Sequence, residues 1–174
     1  MKIKLFVTIL VGFGLLFCSC GQDCPSFPEH LKDYYPYKVG DSICFVNQYG
    51  DSNIYYVNRV TATQAYTDCY HCECGCALEF DAKNKFSADN NLSGSILILG
   101  GTSGAEINLY IYHDPLYVMS LPEKKPFNPK DSLLFGKTVI FEKMGARFPR
   151  AVVEKGKGII ELYDAENDFL WQIK

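Results

Sequence analysis

Short runs of alternating apolar and polar residues make up most of this chain, and turn residues separate the runs. From residue 37 onward the runs are rich in Val, Ile, Tyr and Phe, and turn signals recur about every eight to twelve residues, a spacing typical of all-β domains. No convincing amphipathic helix is found. The pattern therefore predicts an all-β fold, a single antiparallel β-sandwich or barrel-like domain.

Individual strands can be placed on this pattern. A hairpin is predicted first, with strands at 42–48 and 53–61 around a turn at 49–52. Further strands are predicted at 76–81, 95–99, 105–113 and 116–120. The C-terminal part predicts a β-meander with strands at 137–143, 150–155, 158–164 and 168–173. Trp171, the only tryptophan, is expected to fill the end of the core.

The first twenty residues follow a different pattern. Lys2 and Lys4 precede an uncharged apolar run at 5–17, which is too short to cross a hydrocarbon core of ~30 Å as a helix. A serine then precedes Cys20, and this arrangement resembles the lipobox of bacterial lipoproteins. The resemblance implies cleavage before Cys20 and fatty acyl chains such as palmitate on its thiol and amino group, which together anchor a protein stably. An ordinary secretory signal is the alternative, because Phe17 departs from the usual lipobox.

The predicted organisation has three parts. Residues 1–19 are a lipoprotein signal peptide, residues 20–36 are the lipidated cysteine with a proline-rich tether, and residues 37–174 are the β-domain. The expected location is the cell envelope, anchored in the outer membrane by lipid, with the periplasmic or surface face undecided. The net charge of −3 and the lack of a basic patch exclude nucleic acid as an expected partner.

Six cysteines follow Cys20, and an even number of thiols in an exported chain predicts disulfides. They are Cys24, Cys44, Cys69, Cys72, Cys74 and Cys76. Residues i and i+2 on an extended strand lie about 6.6 Å apart, near the upper limit for a bridge. Cys24 and Cys44 are therefore each expected to bond into the cluster at 69–76, and two cluster cysteines are expected to bond each other through a bend at Gly75.

Metal binding or thiol redox chemistry is the alternative for this cluster. Cys69, His71, Cys72, Cys74 and Cys76 are suitable soft ligands for zinc or copper. However, a structural zinc site usually draws its ligands from two separated segments, and the second segment is missing. A redox C-x-x-C motif usually precedes a helix, which is also missing here. We therefore expect neither a metal nor another cofactor.

Catalytic motifs are missing as well. The chain has three histidines, none of them in H-E-x-x-H, and no serine lies in G-x-S-x-G. We expect no enzyme but a membrane-anchored envelope lipoprotein with a structural or binding role. Its partners would be the lipid bilayer, through the N-terminal acyl chains, and an envelope protein or a glycan. Tyr34, Tyr35 and Tyr37 are expected to dock the tether on the sheet, with sugar stacking as the alternative.

A family resemblance supports the same location. The segment YPYKVGD at 35–41, the cysteine cluster and the strands from Gly158 to Trp171 resemble a group of small, uncharacterised lipoproteins of gut Bacteroidota. The resemblance implies a location in the cell envelope and a fold class, but it implies no catalytic residue. In that lineage the pattern Asp, Ser or Thr, then an apolar residue resembles an O-glycosylation signal, and it marks Ser42 and Ser132 as candidate sites.

Overall fold

The fold is all-β, as predicted. The computed structural model describes residues 26–68, 73–87, 91–99, 104–111, 114–120 and 133–174. Those residues contain a 3-10 helix, Glu29–Tyr34, and ten strands. The strands are β1 Ser42–Val46, β2 Ser52–Asp68, β3 Glu73–Asn84, β4 Asn91–Leu99, β5 Gly104–Ile111, β6 Asp114–Ser120, β7 Thr138–Glu142, β8 Arg150–Glu154, β9 Gly158–Asp164 and β10 Phe169–Ile173.

All ten strands belong to one antiparallel sheet, in the order β6-β5-β4-β3-β2-β1-β10-β9-β8-β7. The predicted C-terminal meander is confirmed as β7–β10. It joins the rest of the sheet through β1 and β10, where Phe45 pairs with Ile173. The outermost strands, β6 and β7, approach each other within 8 Å between Cα atoms. The sheet is therefore a nearly closed, barrel-like layer. Within the described ranges no helix has the length and hydropathy of a membrane span.

The β2–β3 hairpin is much longer than predicted. Its pairing runs from Tyr55 with Asn84 to Asp68 with Glu73, whereas β1 pairs only with the first five residues of β2. The hairpin thus projects beyond β1, and its connecting residues 69–72 lie outside the described part of the chain. The sequence prediction ended this strand at residue 61 because the polar segment that follows lacks apolar alternation; pairing with β3 extends it.

Alternating residues of each strand face the core. On β3 the side chains of Leu78, Phe80 and Ala82 are buried, whereas those between them are partly exposed. The inward position of β4 opposite Phe80 is Gly94. A Cβ atom there would lie 2.5 Å from Phe80 Cε1 and 2.8 Å from Tyr35 Cζ. Glycine at this position therefore lets two aromatic rings pack directly on the sheet.

The segment before residue 37 belongs to the core. Phe27, Leu31, Tyr34 and Tyr35 are all at most 4% exposed. The Tyr35 hydroxyl donates a hydrogen bond of 2.7 Å to the Asn108 carbonyl, deep inside the sheet. The prediction of a tether over 20–36 is therefore wrong for its described part, and the folded domain includes Phe27. Pro28 and Pro36, two of the prolines that suggested a tether, flank the 3-10 helix, where they are compatible with the fold.

The predicted docking of Tyr37 on the sheet is confirmed, whereas Trp171, expected to fill the end of the core, is only partly buried. Tyr37 docks against the meander, where its hydroxyl oxygen accepts a hydrogen bond of 2.7 Å from the Ile159 backbone N–H. Gly158 makes room for that ring, because a Cβ atom at this position would clash with the Tyr37 hydroxyl oxygen. Trp171 packs against the core and makes an edge-to-face contact with Phe169.

Candidate functional site

A polar groove lies on the outer face of the sheet, along β4, the third strand from one edge. The first three outward residues of β4 are polar and small or of moderate size, namely Asn91, Ser93 and Ser95. The neighbouring strands carry larger outward side chains, Asp81 of β3 and Tyr110 of β5, at the positions paired with Ser93. Small residues between larger ones leave a depression, which we call the β4 groove.

The groove consists of two adjoining depressions. The larger has a volume of about 380 Å³ and is lined by Asn58, Asp81, Ala82, Lys83, Asn91, Ser93 and Tyr110. The smaller has a volume of about 190 Å³ and is lined by Arg59, Glu79, Phe80, Asp81, Ser93, Gly94, Ser95 and Tyr110. Asp81, Ser93 and Tyr110 line both. The larger depression falls in the lower part of the size range of small-ligand sites.

Charged residues form one wall of the groove. Arg59 lies 2.5 Å from Asp81, between Nε and Oδ2, and 3.5 Å from Glu79, between Nη2 and Oε2. The hydrogen bond and charge of Asp81 raise the pKa of Arg59 above its ordinary value. A register shift between Val57 and Arg59 inserts Asn58 into β2, and this bulge residue lines the larger depression.

Several polar groups of the groove have unused hydrogen-bonding capacity. Asn91 Oδ1 is buried and accepts no hydrogen bond from the described residues. Ser95 Oγ accepts a bond of 3.2 Å from Asn108 Nδ2, which leaves its own proton free to donate. Asn108 lines neither depression; it is 3% exposed, and its Oδ1 accepts no hydrogen bond from the described residues. Since buried polar atoms in proteins are nearly always satisfied, an unsatisfied acceptor in a groove is a candidate ligand contact.

The two cysteines whose side chains are described are free thiols, Cys44 and Cys76. Cys44 pairs with Ile54 of β2, whereas Cys76 pairs with Gln64. Ten residues of extended strand separate those positions, about 33 Å at 3.3 Å per residue. The expected bond from Cys44 into the cluster at 69–76 is therefore wrong, because a disulfide requires Cα atoms within about 7 Å. Burial raises the pKa of the Cys76 thiol, which disfavours a reactive thiolate.

Most other predicted site residues lie outside the described part of the chain. They are Cys20, Cys24, Cys69, His71, Cys72 and Ser132. The backbone of Cys74 is described and pairs with Thr67 near the end of the β2–β3 hairpin. Ser42 is exposed at the start of β1. Among the described residues no group of three or more His, Cys, Asp or Glu is arranged to hold a metal ion.

The groove itself was not predicted from the sequence. The run N-L-S-G-S at 91–95 does place small polar residues at alternate positions, which marks one face of a strand. Which side chains stand beside that face depends on the pairing of β4 with β3 and β5. Comparisons with protein-family models, with curated proteins and with solved structures give no match.

Proposed function

We propose that this protein is a membrane-anchored envelope lipoprotein that binds a glycan through the β4 groove, without catalysis. The anchor is inferred from the short apolar run at 5–17 and the lipobox-like cysteine, Cys20. Acylation there would hold the β-domain at the outer membrane. The glycan is inferred from the chemistry of the groove.

One observation supports a glycan as the ligand: polar groups without hydrogen-bond partners among the described residues lie along β4 beside the ring of Tyr110. Asn91 Oδ1 lacks a donor, and the described residues give the side chains of Ser93 and Tyr110 no hydrogen-bond partner. Sugar hydroxyls both donate and accept, so they can satisfy amide, hydroxyl and charged groups at once. The apolar face of a pyranose ring can pack on an aromatic ring such as that of Tyr110.

The acidic residues of the groove favour binding over hydrolysis. Glycoside hydrolysis uses two carboxyl groups, one of which must give a proton to the leaving oxygen. Glu79 and Asp81 both lie against Arg59. Each carboxylate is thus paired with a cation, which favours its ionised form and so disfavours a role as proton donor. A binding role is consistent with this arrangement.

The ligand is tested on a glycan array and then by calorimetry, with the full-length protein purified from bacterial membranes in detergent. We expect Tyr110→Ala to weaken glycan binding at least tenfold, because it removes the ring of the groove. Tyr49→Ala is the matched control, since Tyr49 is 74% exposed and does not line either depression of the groove. Equal affinities for a correctly folded Tyr110→Ala and the wild type would overturn the assignment of the groove.

The anchor is tested separately by intact mass. We expect the wild-type protein to begin at Cys20 and to carry the added mass of acyl chains. Cys20→Ser should remove that mass and release the protein from the membrane fraction. An unacylated wild-type protein would refute the lipoprotein assignment and leave the glycan proposal standing.

A metal-binding or thiol-redox function of the cluster at 69–76 is the alternative proposal. Its support is the β2–β3 hairpin, in which Cys74 pairs with Thr67 and Cys76 pairs with Gln64, so two cluster cysteines lie near one end of two paired strands. Alkylation before and after reduction, together with native mass measurement, separates the two proposals. Thiols that react without reduction, or a metal that leaves on denaturation, would favour the alternative.

A further inference from the structure

We propose that the β4 groove holds a glycan of at least two sugar units laid along β4, in preference to a single sugar. This inference rests on the proposed function. Its basis is the division of the groove into two depressions that share Asp81, Ser93 and Tyr110. One sugar unit would lie in each depression, and the shared residues would lie at the linkage between them.

The length of the groove fits more than one unit. Asn91 lines one end and Ser95 lines the other. These residues are four positions apart on an extended strand, a distance of about 13 Å. That span is longer than one pyranose ring. Both ends carry a polar group able to contact a ligand, so a single sugar would leave one end without a partner.

The two ends also differ in charge. Lys83 lines only the larger depression, and Glu79 lines only the smaller one. Lys83 makes no ion pair with any residue that the structure describes. In the smaller depression Glu79 lies against Arg59, whereas the ammonium group of Lys83 in the larger one has no such partner among the described residues. An acidic substituent would therefore be favoured beside Lys83, which gives a bound chain one preferred direction.

Ser95 sets the depth of the smaller depression. Its hydroxyl oxygen is held by Asn108 Nδ2 at 3.2 Å, so its position is fixed by a buried side chain. A larger, apolar side chain at this outward position would narrow the smaller depression, remove its hydroxyl and leave the larger depression intact. Ser95→Val is therefore a variant that separates the two predicted subsites.

The test is calorimetry of the full-length protein with mono-, di- and trimers of glucose and of N-acetylglucosamine, and of the best glycan on the array. We expect affinity to rise at least tenfold from monomer to dimer and little from dimer to trimer. Ser95→Val should reduce affinity for the dimer to the level of the monomer, with monomer affinity unchanged. Ser52→Val, an exposed serine at the start of β2 outside the groove, is the control.

A second variant covers the case in which Ser95→Val fails to fold. Glu79→Gln removes one carboxylate from the smaller depression at nearly constant volume while Arg59 and Asp81 remain, and it should weaken binding of the dimer but not of the monomer. A monomer that binds the wild type as tightly as its dimer would overturn the two-unit inference, and the proposed function would survive. Absence of binding to every glycan, in a folded protein, would instead overturn the proposed function itself.

Discussion

The replacement Tyr35→Phe tests whether the segment before residue 37 is part of the folded domain. The Tyr35 side chain is 2% exposed, and its hydroxyl donates to the Asn108 carbonyl at 2.7 Å. That carbonyl lies at a register shift in the pairing of β5 with β6. Phenylalanine keeps the ring but leaves a buried acceptor without this donor, which costs about 1–3 kcal/mol.

The expected loss is large enough to measure by thermal and denaturant unfolding. A cost of about 1–3 kcal/mol lowers Tm by about 2–12 °C in a domain of this size. Tyr56→Phe is the matched control, because Tyr56 is 43% exposed and the described residues offer its hydroxyl no hydrogen-bond partner. Its free energy of unfolding should change by less than about 0.5 kcal/mol.

The same variant predicts a change in pH dependence. Burial, and to a lesser extent the charges of Tyr37 and Tyr110, raise the pKa of Tyr35 well above its usual value. In the unfolded chain tyrosine ionises near pH 10. Above that pH the unfolded state binds fewer protons than the folded state, so the free energy of unfolding falls as pH rises; below it this contribution is intact.

Tyr35→Phe removes one such group. The free energy of unfolding of the variant should therefore fall less steeply with pH above pH 10 than that of the wild type. The difference in slope should reach about 1.4 kcal/mol per pH unit at most. Tyr37, whose pKa burial also raises, is present in both proteins and cancels in the comparison. Equal slopes above pH 10, or equal stability at neutral pH, would refute the placement of Tyr35 in the core.

Three further predictions concern other buried groups. Gly94→Ala should cost about 1–3 kcal/mol in unfolding free energy, because the new Cβ collides with Phe80; an unchanged Tm would contradict this packing. Cys76 should resist alkylation in the native protein while the half-buried Cys44 reacts faster, because burial raises the pKa of the Cys76 thiol; peptide mass mapping would expose the reverse order. Asp164→Ala should cost about 2–4 kcal/mol, since that 2%-exposed carboxylate accepts bonds from an arginine and from the following turn; denaturant unfolding checks it, and a loss below about 0.5 kcal/mol would count against it.

The strands best predicted from the sequence are those that carry their own local signals. The strands at 150–155 and 158–164 agree within one residue with β8 and β9. Gly156 and Gly158, both with positive φ, mark the turn between them. The second half of β2 has no such signal, because its threonines and alanines form no apolar face. It forms a strand because eight of its residues between Arg59 and Asp68 pair with residues of β3.

The sequence alone predicted that this chain is a β-protein and where several of its turns fall, including the turn between β8 and β9, because these features depend on residues close together along the chain. Only the tertiary structure decided that Phe27, Leu31, Tyr34 and Tyr35 enter the core, that Cys44 lies far from Cys76, and that three residues of β4 form the floor of a groove. Those features depend on which strands are neighbours. Pairing between residues distant in sequence sets that neighbourhood, and local pattern does not encode it.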